Sequence, residues 1–450
     1  MAALQSFFEN LGNIVWGPFM LVLLVGTGVL LTVRLRGLQF TKLFYALKQA
    51  FGGAKNQHRE PGDVSHFAAL MTALSATIGT GNIAGVATAV VSGGPGAIFW
   101  MWVTAIFGMA TKYAEGILAV RFRTTNSRGE MAGGPMYYIE RGLNMKWLAI
   151  LFALFAVFAS FGIGSSVQSN SVAQSIHATF GTNTALTGVV LTILTAVVIL
   201  GGIKSIARAA SVIVPIMAIV YVLGGLLILV LNIESVWPAV KLIFTDAFSG
   251  QAVAGGALGT VIRFGVARGV FSNEAGMGSA PIAAAAAKTD HPGRQALVSM
   301  TGTFLDTIIV CSITGIVLVM GGLYAGAGNH TGAALTTLTF HQLLPGWGGY
   351  LVTFGLVFFA YSTILGWCYY GEKCAAYLLG DWAVIPYRVV YVVSVMLGTV
   401  VSLELVWAAS DTFNGLMAIP NLIALLLLSG VVVKETNHFF SKINSGELPK

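Results

Sequence analysis

The chain has 450 residues, of which 56% are hydrophobic and only 9% are charged, with a mean hydropathy of +0.82. A soluble domain carries charge on roughly a quarter of its residues, so water is excluded as the main solvent and lipid takes its place. The net charge of +7 sits in short connections between apolar runs, where it reports topology and not nucleic-acid binding.

About eleven apolar runs are long enough to cross a bilayer as helices. The first, 12–33, follows no Lys or Arg and precedes no small-residue cleavage pattern, which predicts a retained span and not a removed signal peptide. Five more follow at 66–91, 96–120, 147–176, 184–202 and 209–231, and a further five at 252–286, 295–321, 346–370, 385–407 and 412–433. Two amphipathic pieces, 234–249 and 333–343, are expected at the interface, and 434–450 forms a tail. If the 34–65 connection is cytoplasmic, the inner loops collect Arg34, Arg36, Lys42, Lys48, Lys55, Arg59 and almost every later Lys and Arg, and the outer ones keep only Lys241. This bias predicts a multi-pass cell-membrane protein surrounded by lipid, with its N-terminus outside and its C-terminus in the cytoplasm.

Two runs carry an interruption at mid-membrane: Gly79-Thr80-Gly81-Asn82 in 66–91, and Ser272-Asn273-Glu274-Ala275-Gly276 in 252–286. They stand five spans apart, and five is odd, so corresponding helices run in opposite directions. That pattern predicts an all-α inverted repeat with broken helices at a ligand site: an extra N-terminal helix at 12–33, a first repeat at 66–231 and a second at 252–433. A lone glycine-rich patch would mean only close helix packing; two in corresponding positions, each with an Asn, point to function.

A helix broken in hydrocarbon leaves backbone groups that cost several kcal/mol each unless something satisfies them. The N–H groups of Thr80, Gly81 and Asn82 open the outer half-helix at its positive end and suit a carboxylate, and the glycines, Gly79 included, permit close approach. The carbonyls of Ser75, Ala76, Thr77 and Ile78 end the inner half and suit a cation, to which Ser362 and Thr363 add two hydroxyls at mid-depth. Asp306, about twelve residues into its run, is an intramembrane carboxylate able to hold a cation, receive an ammonium or relay a proton. Gln168, Phe271, Asn273 and Trp367 are candidate pocket walls, with Asn170 beside Gln168 as a further polar group. Arg263, Arg268 and Glu274 are expected to form structural or gating ion pairs with one another or with Glu115, and Lys112 to pair with Glu115 near the inner face.

Rival classes find less support. A channel wants polar rings along a pore, whereas polar groups here cluster at one depth. An enzyme needs a nucleophile, base or metal set, and the sequence has no HExxH, GxSxG or grouped His. Cys311, Cys368 and Cys374 show neither disulfide nor zinc spacing.

The stretch from Ser75 to Ala87 (SATIGTGNIAGVA), Lys112 to Glu115 (KYAE), Ala132 to Tyr138 (AGGPMYY) and Gly265 to Pro281 (GVARGVFSNEAGMGSAP) resemble the alanine or glycine:cation symporter family of bacteria and archaea. The resemblance spans about 10–435. It implies a LeuT-like fold of five plus five inverted helices with one added helix. It also implies alternating-access uptake of alanine or glycine coupled to sodium or protons, with no organic cofactor. Sodium is the expected coupling ion; a proton-coupled symporter, or a channel or other small-solute carrier on the same fold, is the alternative. By similarity, Gly79 to Asn82 form the substrate and sodium break, and Ser362 and Thr363 a second sodium position. Gln168, Phe271, Asn273, Asp306 and Trp367 are carried over only by position within a helix.

Overall fold

The computed structural model describes residues 2–52, 60–248, 258–326, 332–400 and 404–449. Lys55, Arg59, Lys450, the start of the 252–286 run and residues 401–403 of the 385–407 run lie outside the described residues.

The chain is helical almost throughout. Helix α1 (Ala2–Val15) meets α2 (Pro18–Arg34) at a bend of 42°, so the first span is not the straight 12–33 the hydropathy suggests. Pro18 is the cause: with no N–H and a fixed φ it opens a new helix, and the chain turns at Trp16-Gly17. The 34–65 connection contains α3 (Leu38–Phe51). An interrupted helix follows, α4 (His66–Thr77) and α5 (Ala84–Gly93), and then α6 (Ala97–Arg121). A small hairpin, Thr124–Thr125 with Met131–Ala132, leads into α7 (Pro135–Leu143), α8 (Lys146–Phe180), α9 (Thr184–Ile199), α10 (Gly202–Leu231) and α11 (Ile233–Ala247). The second interrupted helix is α12 (Leu258–Asn273) with α13 (Ala280–Ala284), succeeded by α14 (Pro292–Gly321), α15 (Gly332–Leu343) and α16 (Gly348–Leu379). The chain ends in α17 (Val384–Val400), α18 (Glu404–Leu427) and α19 (Ser429–Ser445).

Among the described residues, seven helices are long and apolar enough to span a bilayer (α6, α8, α10, α14, α16, α17 together with the 3-10 turn Asp381–Ala383 that leads into it, and α18), and the bent α1–α2 pair adds an eighth. The other three expected runs fall short for visible reasons. Two are interrupted, and the 16 residues of α9 rise only about 24 Å against a core of about 30 Å. The last run is also displaced: expected at 412–433, it starts at Glu404 and stops at Leu427, and the tail folds as α19. Acidic Asp411 hides the start of α18 from hydropathy, whereas packing against α1 accommodates it. Trp16 donates to its carbonyl (3.0 Å), and Thr412 donates to the carbonyl of Phe8 (3.0 Å).

Helix α6 is the buried axis, in contact with α2, α12 and α14. Small residues bring these helices together: a Cβ on Gly116 would lie 2.8 Å from the Cα of Ala296 in α14. Helix α10 shows the opposite environment. Its Val212, Ile216, Ile219 and Leu223 are exposed at helical spacing while Val214, Met217 and Tyr221 are buried, so lipid takes one apolar face and the bundle the other. Two long helices contain π-helical segments, Ser160–Ser166 in α8 and Phe304–Cys311 in α14, both turned toward the breaks.

Candidate functional site

The first break begins after Thr77. Ile78 and Gly79 are extended, Thr80–Asn82 makes one 3-10 turn, and the helix resumes at Ala84. Asn82 closes the turn by accepting from the Gly79 N–H (2.9 Å), and its amide donates to Asp306 Oδ1 (2.7 Å). Gln168 reaches the break because the π segment rotates α8 there. Its amide donates to Thr80 Oγ1 (3.2 Å) and to the carbonyl of Ile163 (3.0 Å), and its Oε1 accepts from the Thr80 N–H (3.4 Å).

Across the inner half of this break lie Ser362 and Thr363 of α16. Both hydroxyls can donate to the Phe359 carbonyl at 2.9 Å, the ordinary back-bonded arrangement. With its single proton so used, each hydroxyl oxygen still faces an α4 carbonyl: Ser362 Oγ stands 3.3 Å from the Ser75 oxygen, and Thr363 Oγ1 3.4 Å from the Ile78 oxygen. The Thr77 hydroxyl donates to the carbonyl of Leu74 (3.3 Å), and the residue lines a small cavity beside Lys112.

The second break follows Asn273. Glu274, Gly276 and Gly278 all adopt positive φ (55°, 87° and 84°), which a glycine takes without strain and Glu274 does not. Asn273 Oδ1 accepts from the Ala275 N–H (2.9 Å), and its amide donates to Thr307 (3.1 Å). Asp306 ties the two breaks together. Besides Asn82 on the first, it accepts from Ser272 on the second (2.8 Å) and from Thr307 (2.7 Å), and Cys311 Sγ lies against both Asn82 and Ser272. The breaks touch directly, since a Cβ on Gly81 would lie 3.2 Å from the Phe271 ring and 3.4 Å from the Ser272 Cα. One cluster of hydroxyls, amides, carbonyls and a carboxylate thus sits where two helices are interrupted inside the bundle.

The family described as the sodium:alanine symporter family matches this chain over residues 1–450. The chain belongs to that family. The sodium/alanine symporter AgcS of Methanococcus maripaludis is 61% identical over 440 residues, covering 96% of this chain and 97% of that protein. The putative sodium/proton-dependent alanine carrier protein YrbD of Bacillus subtilis is 39% identical over 442 residues, covering 95% and 90%. A solved structure of a Na+-coupled sialic acid symporter, substrate-bound and outward-open, superposes with a TM-score of 0.53 at 13% identity, covering 93% of this chain and 86% of that one. That last likeness is of fold alone.

Proteins of the sodium:alanine symporter family are multi-pass membrane transporters, not enzymes. In this symporter the charged groups near the breaks do not pair as the sequence suggests. Arg263 donates to Asn13 (3.0 Å), and Arg268 lies over the Phe271 ring at 5.6 Å. Neither forms an ion pair with Glu274, Glu115 or Asp306, because α12 turns both arginines toward α1 and α18. Glu274, past the end of α12, faces α16 instead and accepts from Trp367 Nε1 (3.0 Å) and Ser279 (2.5 Å). Glu115 Oε1 accepts from the Gly278 N–H (3.1 Å) and Asn421 (2.7 Å), so it makes no ion pair with Lys112 within 4.0 Å. Both α6 residues are buried (3% and 1% exposed). Asn170 points away from the breaks, donating to Gly398 (3.1 Å).

Several groups at the breaks were not singled out by the sequence: Thr307, Cys311, Tyr138, Asn421 and the Phe359 carbonyl. Asn421 donates to Gly276 (2.8 Å) as well as Glu115, and accepts from Tyr138. An Asn in the middle of an apolar run was its available signal. The Phe359 carbonyl has no side-chain signal at all.

On the side of the basic loops the two broken helices are drawn together. Val64 pairs with Ala287 in a parallel bridge, and the Arg123 guanidinium donates to the carbonyls of Pro61, Ala285 and Ala287 at 2.7–2.9 Å. Lys373 binds Glu130 (2.8 Å), and Ser127 and Arg128 bind Asp381. Burial alone would push Glu130 up, yet the Lys373 hydrogen bond and charge hold it below its ordinary 4.5. The Ser127 hydroxyl, against slight burial, holds Asp381 below its ordinary 3.8. Depressed carboxylates stabilise the closed side above those ordinary values, and that contribution is lost as pH falls through the folded values. Amide exchange in the 124–132 hairpin, corrected for intrinsic rate, is therefore expected to stay constant from about pH 8 to about pH 5 and to rise below about pH 4. Protection that fades between about pH 7 and 5 would contradict the assignment of these two carboxylates.

Proposed function

We propose that this chain carries a small neutral amino acid, alanine or glycine, into the cell in symport with sodium by alternating access. The observation that carries this reading is the five-oxygen set formed by the carbonyls of Ser75, Ile78 and Phe359 with the hydroxyls of Ser362 and Thr363. Oxygens about 2.3–2.6 Å from a hard cation stand about 3.3–3.7 Å from one another when they meet it at right angles; the two cross-helix separations here are 3.3 and 3.4 Å, and the Phe359 carbonyl stands closer, 2.9 Å from each hydroxyl that donates to it. The set carries no formal charge, which favours a monovalent ion over a divalent one.

The substrate carboxylate is assigned to the backbone of Thr80 and Gly81, with Gly79 extended beside it and Gln168 over Thr80. Asn82 and Asp306 supply a second group of cation oxygens, with Ser272 and Thr307 around the carboxylate. Phe271, Asn273 and Trp367 limit the space for a side chain, and Trp367 is held by Glu274. The names of the relatives, one a sodium/alanine symporter, support alanine and sodium as ligands.

The architecture assigned is LeuT-like: eleven spans, with 12–33 as the added helix and 66–231 and 252–433 as inverted repeats. The two broken helices, the 16-residue α9 and the eight spans evident from length and apolarity support that number. The positive loops support an external N-terminus and a cytoplasmic C-terminus, and with that orientation the Arg123, Lys373 and Arg128 contacts would lie on the cytoplasmic side.

The test is uptake of labelled alanine into proteoliposomes under sodium and proton gradients imposed separately, competed by L-alanine, D-alanine, glycine and leucine. Accumulation driven by sodium and competed by alanine or glycine is expected. Accumulation under a proton gradient alone would transfer the coupling to protons, and competition by leucine but not glycine would overturn the substrate.

A further inference from the structure

A second cavity, of about 330 Å³, opens at the end of the molecule opposite the basic loops, between α1, α12 and α18. Its polar lining is Glu9, Asn13, Arg263, Arg268 and Asp411, and Phe271 also lines it. Phe271 separates this space from the breaks, since the same ring lies where a Cβ on Gly81 would be 3.2 Å away.

The charges in this cavity are unusual in leaving one another alone. Among the described residues Arg268 has no hydrogen-bond or ion-pair partner, only the Phe271 face, and the Asp411 carboxylate has none either. Asp411 is fixed through its backbone, whose carbonyl accepts from Trp16, and Arg263 is tethered by Asn13. Two guanidiniums and two carboxylates sum to zero, so the cavity has no net attraction for a simple anion or cation. A cation and an anion that line one cavity without pairing within 4.0 Å instead present opposite poles to a dipolar solute.

We propose that this cavity is a second binding site for the transported zwitterion, filled before the central site. Its carboxylate is received by Arg268 in the field of Arg263, and its ammonium by Asp411. This rests on an amino acid being the substrate. It also gives the α1 helix a purpose, since Glu9 and Asn13 reach the cavity only because the chain bends at Gly17-Pro18.

The experiment is equilibrium dialysis of labelled alanine against the full chain in nanodiscs, with and without saturating sodium. Two equivalents per chain are expected with sodium, and about one without it. Arg268→Gln and Asp411→Asn should each bind one equivalent with sodium and none without, and Arg268→Lys should restore part of the second. Propionate and ethylamine should displace neither equivalent at concentrations where glycine displaces both. A native chain that binds one equivalent, or variants that keep two, would overturn the proposal while leaving the central site intact. Loss of both equivalents in Arg268→Gln and Arg268→Lys alike would make the residue structural and also overturn it. A native chain that binds no alanine would remove the substrate assignment itself.

Discussion

Replacing Thr363 with Ala is expected to raise the sodium concentration for half-maximal alanine uptake by about tenfold to a hundredfold. Thr363 contributes one of the five oxygens proposed for the ion at the inner half of the first break, and its hydroxyl faces the Ile78 carbonyl at 3.4 Å. A polar contact to a charged group contributes about 1.5–3 kcal/mol, one to two decades in affinity. Nothing else in the cluster is positioned to replace it: the Asn82 amide is engaged with Asp306 and Gln168 with Thr80. Linkage adds a second expectation. Sodium and substrate must tighten each other equally, so alanine affinity in the variant should fall at fixed sodium and recover as sodium is raised. Thr363→Ser, which keeps the oxygen, should behave almost as the native chain. Measured sodium titrations that coincide for the native chain and Thr363→Ala would remove Thr363 from the ion site.

Asp306→Asn should reduce sodium-driven uptake by a hundredfold or more while the protein still inserts and folds. The carboxylate is buried and accepts from three donors, Asn82 on the first break, Ser272 on the second and Thr307 beside it. An amide of the same shape presents N–H where one of those donors points. Facing donors leave a buried group unsatisfied at about 1–3 kcal/mol, and loss of the charge removes a cation ligand in addition. The two effects add at one place, the joint that keeps the breaks in register. Uptake normalised to incorporated protein, together with thermal unfolding in nanodiscs, separates the two contributions. Retention of uptake within about threefold, against the one to two decades expected of a lost charged contact, would show that the carboxylate is structural filling.

Much of this arrangement is visible in residue order. The interruption of α4 and α5 is written as Gly79-Thr80-Gly81-Asn82, and that of α12 and α13 as Ser272-Asn273-Glu274-Ala275-Gly276, because breaking a helix in lipid needs glycine together with local polar groups. Ser362 and Thr363 stand out as adjacent hydroxyls in an apolar run, and Asp306 as a carboxylate at depth. The ion pairs could not be inferred in the same way. Arg268 is five residues from Asn273 in sequence, yet its direction is set by the face of α12 that meets α1 and α18. Hydropathy starts the last run at 412 because it treats Asp411 as a boundary, whereas the helix at 404–427 carries that residue beside a neighbouring helix.

By itself the sequence determined the solvent, the number of apolar runs, the sites of interruption and the family, all of which depend on composition or on neighbours within one helix. Only the tertiary structure decided which polar groups meet. Asn82 and Asp306 are 224 residues apart, Ser75 and Ser362 are 287 apart, and Glu115 and Asn421 are 306 apart. Contacts at such separations follow from the rotation of each helix about its own axis, and that rotation is set by packing against neighbours and not by hydropathy.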